Sequence, residues 1–266
     1  MEYLNANDEA AYQRQVVSQI GQYGDADEIH DTPAVFSYWT METLAAKAIA
    51  KTATDNPADF YSKWIQTAIE RTGFRTIYSV GSGDGTVERR VAQNLKDCGL
   101  DDFQIICLEL SPNLIAQGRE RTLAAGLQDV VVFEQVDLNR NLPFQVPPAA
   151  IMANQCLHHF IELEPLFARI KAAIGPKGLF LTCDMIGRNG HMRWPEVESL
   201  IRDFWDQMPE HARFDHQHQE PRRDFENWDC SIEGFEGVRA QDILALLTHS
   251  FYFHSCFTFG GLVEVF

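Results

Sequence analysis

The sequence lacks the long apolar run of a membrane-spanning helix, since no stretch approaches about 20 consecutive apolar residues. Residues 1–7 lack the charged and apolar regions of a secretory signal peptide. Positive charge is also scarce, because 22 lysines and arginines oppose 38 aspartates and glutamates, for a net charge of −16. Such a surface repels phosphate backbones and anionic membranes, so we expect neither nucleic acid nor membrane as a partner.

Cysteines are few, and the six that are present form no Cys-x-x-Cys pair. Cys107 and Cys183 lie inside apolar, strand-forming stretches, where a free thiol packs as a small hydrophobic group. We therefore expect a reducing, cytoplasmic location. The 266 residues, 45% of them apolar, suffice for one large α/β domain with additions.

The most informative stretch is residues 76–88. An apolar, β-favouring run leads into three alternate glycines, Gly81, Gly83 and Gly85, and a helical segment follows from Thr86. This order predicts a strand, a tight turn and a helix, in which glycine lets the main chain approach a ligand. The first N–H groups of the helix would point to the same place, so the turn is predicted to bind a polar small molecule. It matches neither a P-loop nor the Gly-x-Gly-x-x-Gly of nicotinamide-binding proteins.

Three further strand-forming runs follow, and each ends on polar residues. They are 103–108 before Glu109, 130–136 before Asp137, and 149–153 before Asn154 and Gln155. A Leu-His-His sequence comes next, at 157–159. Because strands and helical patterns alternate, the sequence predicts a parallel sheet whose carboxyl ends gather these polar groups.

Together these motifs resemble the class I S-adenosylmethionine-dependent methyltransferases, over roughly residues 75–185. The resemblance implies a Rossmann-like α/β fold with a seven-stranded, mostly parallel sheet and a closing C-terminal antiparallel hairpin. It implies S-adenosylmethionine as the cofactor, with Glu109 on the ribose hydroxyls and Asp137 at the adenine. The residues assigned to the cofactor are Gly81, Ser82, Gly83, Asp84, Gly85, Glu109, Leu110, Asp137, Leu138, Asn154 and Gln155. Ser79 departs from the family pattern, because many members carry an acidic residue at this position. The departure affects how the amino group of the cofactor's methionine moiety is held.

The chain divides into four predicted segments. They are an N-terminal helical lid (1–72), the cofactor-binding core (73–185), an inserted cap (186–238), and a C-terminal helix and hairpin that complete the sheet (239–266). The third segment is too long for a plain connection, and residues 194–208 are its best helix candidate. Residues 251–259 and 262–266 are the predicted arms of the hairpin.

Histidines near the predicted pocket are candidate general bases, because imidazole titrates near neutral pH. His158 is the preferred candidate, His30 and His191 are its rivals, and a structural role is the alternative for the histidine pair that includes His158. The run 215–220 alternates histidine with acidic or amide residues, which could share one face of a strand as metal ligands. A solvated loop is the commoner outcome, so no metal site is predicted.

The resemblance implies an enzyme that methylates a small molecule. A second resemblance, through residues 29–31, 38–39, 226–230 and 233–237, is to bacterial methyltransferases of sugars, glycoconjugates or secondary metabolites. It favours an oxygen acceptor on a carbohydrate-like or natural-product substrate. Two alternatives stay open, a non-catalytic cofactor-binding sensor or partner protein and a nicotinamide-dependent oxidoreductase. The oligomeric state is also open, with a homodimer as one alternative.

Overall fold

The computed structural model of the chain describes residues 9–24, 38–54, 56–141, 143–215, 220–232 and 234–260. Within these ranges five parallel strands form the central sheet, in the order β3-β2-β1-β4-β5. They are β1 (Thr76–Val80), β2 (Gln104–Glu109), β3 (Val131–Gln135), β4 (Ala150–Asn154) and β5 (Leu179–Cys183). The strand order reverses between β1 and β4, which places a crevice at their carboxyl ends.

Helices precede β1, separate the strands except β3 and β4, and follow β5. They are α1 (Glu9–Gly24), α2 (Ala45–Thr52), α3 (Pro57–Thr72), α4 (Thr86–Asp97), α5 (Pro112–Ala124), α6 (Leu163–Ile174), α7 (Pro195–Gln207) and α8 (Ile243–Ser250). Short helical turns at Leu157–His159 and Asn189–His191 carry the histidines of interest. Among the described helices, none has both the length and the apolar character of a bilayer span.

Helices cover both faces of the sheet and make two cores. On one face α3 and α4 contribute Ile65 and Leu95, which are fully buried. On the other face α6 and α8 contribute Phe167 and Leu247. Every residue of β1 from Ile77 onward is buried, as expected for a central strand that packs on both sides. The alternating α/β pattern predicted from sequence is therefore confirmed in its parallel part.

Local signals set the helix boundaries. The Asn56-Pro57 and Ser111-Pro112 pairs predict helix starts and Gly73 predicts a helix end, and the structure has them there. The Asn56 side chain accepts a hydrogen bond from the Asp59 N–H (3.0 Å), Pro57 occupies the first turn of α3, and Gly73 ends that helix with a φ of 76°. Ser111 caps α5 in the same way, by accepting from the Leu114 N–H. These caps satisfy backbone groups that a helix end leaves unpaired.

The prediction of a seven-stranded sheet with a C-terminal hairpin is not confirmed. Residues 251–260, which hold the first predicted arm, form no strand, and the second arm at 262–266 lies outside the described residues. A strand needs a neighbour with which to pair its backbone. Here the segment instead lies along the main cavity, which Phe253 and Phe257 help to line, and the His254 ring contacts Trp64 at 4.8 Å.

The segment predicted as an inserted cap contains α7, so the helix expected at 194–208 is confirmed. Trp205 is buried on this helix and donates a hydrogen bond to the Arg223 carbonyl (3.2 Å). Two short strands, β6 (Phe214–Asp215) and β7 (Glu220–Pro221), pair antiparallel, while residues 216–219 lie outside the described residues. The four domain boundaries themselves stay a prediction.

Candidate functional site

The glycine loop after β1 packs closely on its neighbours. Gly81 and Gly85 have φ angles of 61° and 73°, which side chains rarely adopt. A Cβ at Gly81 would lie 2.6 Å from the Cβ of Cys156, and one at Gly85 would lie 2.6 Å from the Phe133 ring. The sequence indicated room for a ligand, and the structure adds that these two positions have no room for a side chain within the protein itself.

Asp84, also assigned to the cofactor from sequence, is buried with a different set of partners. Its carboxylate accepts from the Thr86 N–H (3.0 Å) and forms ion pairs with Arg89 and Arg121. Burial raises the pKa of Asp84, but the Thr86 hydrogen bonds and the two arginines outweigh it and hold the pKa below its usual value. Asp84 and Gly85 do not line the main cavity, so this geometry indicates that Asp84 caps the start of α4.

Glu109, at the end of β2, is 9% exposed and lines the cavity. One carboxylate oxygen accepts from the Gly83 N–H (2.9 Å), and the other accepts from the N–H groups of Leu110 and Ser111 (both 2.8 Å). Burial raises the pKa of Glu109, and the three N–H groups partly offset that effect. A carboxylate has about four lone-pair sites, so Glu109 ties down the glycine loop and keeps acceptor capacity for a ligand.

Ser79, where the family pattern has an acid, is paired with one. The buried Ser79 hydroxyl donates to the carboxylate of Glu88 (2.6 Å), which lies in the first turn of α4 and lines the same cavity. Burial raises the pKa of Glu88 to about 7, although the Ser79 hydrogen bond lowers it. The carboxylate of Glu88, on α4, therefore lies beside the end of β1, where many family members have an acidic residue on the strand itself. Sequence analysis missed this residue.

Asp137, after β3, contacts the N-terminal helix. The Tyr12 hydroxyl of α1 donates to both carboxylate oxygens of Asp137 (2.8 and 2.7 Å). The Tyr12 ring lies under the Arg140 guanidinium at 4.0 Å and beside Phe235 at 5.6 Å. Burial and the Asp137 carboxylate hold the pKa of Tyr12 well above its usual value. Asp137 and the next residue, Leu138, line the cavity. The hydrogen bonds of Tyr12 hold α1 against Asp137.

Asn154 and Gln155 follow β4 and line the cavity. The Asn154 side chain accepts from the Tyr61 hydroxyl (3.1 Å), which fixes its orientation. Gln155 has a φ of 51°, and its N–H donates to the Cys183 carbonyl (2.8 Å). A non-glycine residue held in this strained region is found most often at functional sites.

The Leu-His-His turn is organised by Asp184, which follows β5. One oxygen of Asp184 accepts from the N–H groups of Cys156 and Leu157 (3.0 and 2.7 Å). The other lies 2.6 Å from Nδ1 of His158, which is almost fully buried. Burial lowers the pKa of His158, but Asp184 and Glu236 outweigh it and raise that pKa to about 9.

Glu236 joins the predicted catalytic histidines into one cluster. Its Oε1 lies 2.7 Å from Nε2 of His191 and 3.3 Å from Nε2 of His158, and its Oε2 lies 3.6 Å from Nδ1 of His159. Although burial opposes it, the histidines hold the pKa of Glu236 far below its usual value. Burial and the neighbouring His158 lower the pKa of His159 to about 4. The structure brings His158 and His191 together, whereas His30 lies outside the described residues.

Comparison with known protein families gives a match for the central part of the chain. A family model described as a methyltransferase domain matches residues 78–180, which run from β1 into β5. The match covers less than half of the chain and agrees with the resemblance to S-adenosylmethionine-dependent methyltransferases that the sequence motifs carry. A comparison with curated proteins returned no match.

Solved structures similar to this chain include methyltransferases. A protein described as a sarcosine dimethylglycine methyltransferase from Galdieria sulphuraria is 18% identical, with 54% of this chain and 53% of that chain covered and a TM-score of 0.40. The CcbJ methyltransferase from Streptomyces caelestis is 19% identical, with 49% and 50% covered and a TM-score of 0.37. The chain thus spans about half the length of these structures. At such values they carry no information about the substrate.

Residues within the range that matches the methyltransferase-domain model line part of a cavity of about 1140 Å³. The sequence-assigned residues that line this cavity are Gly81, Ser82, Gly83, Glu109, Leu110, Asp137, Leu138, Asn154, Gln155, His158 and His191. Residues outside the domain complete the lining, among them Gln19 of α1 and Phe235. The Gln19 side chain also accepts from the Phe235 N–H (2.9 Å), so α1 and the chain after α7 meet over the cavity.

Proposed function

We propose that the protein transfers a methyl group from S-adenosylmethionine to a small molecule, at an oxygen of a carbohydrate-like or natural-product acceptor. The observation that supports this most is that one cavity is lined by two chemically different groups of residues. Glu109 and the glycine loop form the first group, which we assign to the cofactor end. His158 and His191, which contact Glu236, form the second group, which we assign to the acceptor end. The volume of the cavity exceeds the range of about 300–1,000 Å³ typical of single-ligand pockets, which suits a cofactor together with a small acceptor.

At the cofactor end, we propose that Glu109 accepts the ribose hydroxyls while it holds the Gly83 N–H. Asp137 and Leu138 would frame the adenine. The ammonium group of the methionine moiety needs a carboxylate, and Ser79 cannot supply one. Glu88 lies 2.6 Å from the Ser79 hydroxyl and lines the cavity, so it is our candidate for that contact.

At the other end, the acceptor hydroxyl would meet His158, His191 and Glu236. Methyl transfer from a sulfonium is an in-line displacement, in which the acceptor oxygen bonds to the methyl carbon while the carbon–sulfur bond breaks. The sulfur keeps the electron pair, and the hydroxyl proton must leave. The protein chiefly supplies position and a site shielded from water. The contact of α1 with Asp137 and Phe235 supports a cap role for the segments 1–72 and 186–238.

The test begins with calorimetric titration of S-adenosylmethionine, S-adenosylhomocysteine and NAD into the full chain. We expect the first two to bind and NAD to give no heat. Incubation with isotope-labelled S-adenosylmethionine and a panel of sugars, glycosides and natural-product alcohols should then yield a labelled, O-methylated product. Binding of NAD alone would contradict the proposal.

A non-catalytic sensor or partner protein is the second candidate function. The absence of an acid at Ser79 favours it, whereas the carboxylate of Glu88 removes much of that support. This candidate predicts cofactor binding without transfer to any acceptor. The free cysteines among the described residues support our proposal of a reducing, cytoplasmic location.

A further inference from the structure

We infer that His158, His191 and Glu236 form a binding site for a divalent transition-metal ion of the zinc class. Their candidate ligand atoms all lie within 4.8 Å of one another. The Glu236 oxygen stands 2.7 Å from His191 Nε2 and 3.3 Å from His158 Nε2. Ligands of a tetrahedral ion with bonds of about 2.0–2.1 Å lie ~3.3 Å apart. The edge from Glu236 to His158 already has this length, and the shorter contact from Glu236 to His191, a hydrogen bond in this structure, would have to lengthen.

Asp184 orients one ligand in the manner of known metal sites. His158 Nδ1 lies 2.6 Å from the Asp184 carboxylate, which fixes the proton on Nδ1 and leaves Nε2 to face Glu236. Histidine ligands usually donate their second ring N–H to a carboxylate of this kind, which sets the tautomer and the ring orientation. The other Asp184 oxygen binds two backbone N–H groups of the Leu-His-His turn, so the orienting group is itself held in place.

The loops that carry His191 and Glu236 pack closely against each other through their backbones. The Gly190 N–H donates to the Gly237 carbonyl (2.8 Å), and a Cβ at Gly237 would lie 2.9 Å from the His191 backbone nitrogen. A Cβ at Gly190 would collide with the Asp229 carboxylate. His191 itself is held at a φ of 54°, a strained conformation that persists where the surrounding structure imposes it. Small residues and strain thus bring two distant ligands together.

The charge of the cluster suits a dication. Two carboxylates face the histidines, the buried one of Asp184 and the partly buried one of Glu236. A divalent ion would balance both negative charges and take the place of an imidazole proton, because histidine binds metals in its neutral form. Two histidines and one carboxylate leave open coordination positions, and nitrogen ligands favour zinc, iron, cobalt or nickel over magnesium and calcium.

The role of the ion rests on the proposed methyl transfer. His158 and His191 line the cavity, so an open position on the ion would be accessible to the acceptor oxygen. A bound cation lowers the pKa of a coordinated hydroxyl and so helps its proton to leave to water before the oxygen attacks the methyl carbon. The sequence predicted no metal site, because Glu236 lies far along the chain from the histidines that it joins.

The test measures metal binding directly, apart from methyl transfer. The untagged full chain is stripped with a chelator and titrated with ZnCl₂ by calorimetry, and its zinc content is measured after dialysis. We expect about one Zn²⁺ per chain, and Co²⁺ should give the visible absorption of nitrogen ligation. Glu236→Gln and His191→Ala should each lower the affinity at least tenfold, and Asp184→Asn should lower it by about 10–100-fold. His249→Ala is the matched control, because it removes an exposed histidine on α8 and should leave Zn²⁺ binding unchanged.

Binding of S-adenosylmethionine by each variant serves as the folding check. If His191→Ala or Asp184→Asn fails to fold, the near-isosteric Glu236→Gln variant and the Co²⁺ spectrum of the wild type still show whether the metal site exists. Zinc binding that equals wild type in both ligand variants, or no binding by the wild type, would overturn the site and leave a hydrogen-bonded ion-pair cluster. A protein that binds Zn²⁺ but no S-adenosylmethionine would refute the proposed function and leave the metal site intact.

Discussion

Replacement of Glu88 by glutamine tests how the cofactor's ammonium group is held. The buried Glu88 carboxylate accepts from Ser79 at 2.6 Å and lines the cavity. Glutamine keeps the size of the side chain and loses the charge. A hydrogen bond to a charged group contributes about 1.5–3 kcal/mol, so we expect Glu88→Gln to weaken S-adenosylmethionine binding by roughly 10–150-fold.

The same contact predicts a pH dependence. Burial raises the pKa of Glu88 to about 7, so the ionised fraction grows from about a tenth at pH 6 to about three quarters at pH 7.5. If the cofactor binds the ionised form, its affinity should rise by about eightfold over that interval. In the apo protein the folded carboxyl holds its proton more tightly than the unfolded one. Stability should therefore fall as the pH rises from about 4.5 to about 7, and Glu88→Gln should remove that fall.

Calorimetric titration of S-adenosylmethionine at pH 6.0, 6.5, 7.0 and 7.5 measures the affinity. Urea denaturation from about pH 4.5 to about 7.5 measures the stability. Glu120→Gln is the control, because it makes the same change of charge at an exposed position of α5. We expect the control to match the wild type at every pH. An affinity for the cofactor that is independent of pH in the wild type, or unchanged in Glu88→Gln, would refute the assignment.

Three further substitutions test the glycine loop, Glu109 and the contact of α1 with Asp137. Gly85→Ala should lower the free energy of unfolding by about 1–3 kcal/mol, because its Cβ meets the Phe133 ring at a φ of 73°; unaltered chemical denaturation would contradict this packing. Glu109→Ala should weaken S-adenosylmethionine binding by about 1–3 kcal/mol in calorimetry, through lost hydrogen bonds to the ribose, and wild-type affinity would remove the ribose role. Tyr12→Phe removes the hydroxyl that binds Asp137 and should speed amide hydrogen exchange in α1, whereas unchanged exchange there would show that other contacts hold this helix.

Local sequence patterns were enough to predict the strands, the turn and the helix starts that carry the candidate site. The alternate glycines, the polar ends of the strands, and the caps at Asn56 and Ser111 all depend on neighbouring residues, so the pattern itself carries the information. Those elements are found where they were expected. Glu109 is likewise placed at the end of its strand and lines the cavity, while its role with the ribose stays a prediction.

Contacts between distant parts of the chain could not be predicted in this way. Tyr12 and Asp137 are 125 positions apart, and the partnership of Glu236 with the histidines depends on how two loops meet. Neither leaves a local signature in the sequence. The predicted C-terminal hairpin shows the converse problem, since its first arm has a strand-like composition and nevertheless forms no strand in the described residues 251–260. Composition gives a propensity, and pairing decides the structure.

The central claim is that the glycine loop and Glu109 bind S-adenosylmethionine. Its most direct test is calorimetric titration of the cofactor into the wild-type chain and into Gly83→Val, whose bulky side chain would stand on a loop residue that lines the cavity. We predict one binding event per chain in the wild type and none in a folded Gly83→Val protein. Equal affinity in the two proteins, or no binding by the wild type, would contradict the account.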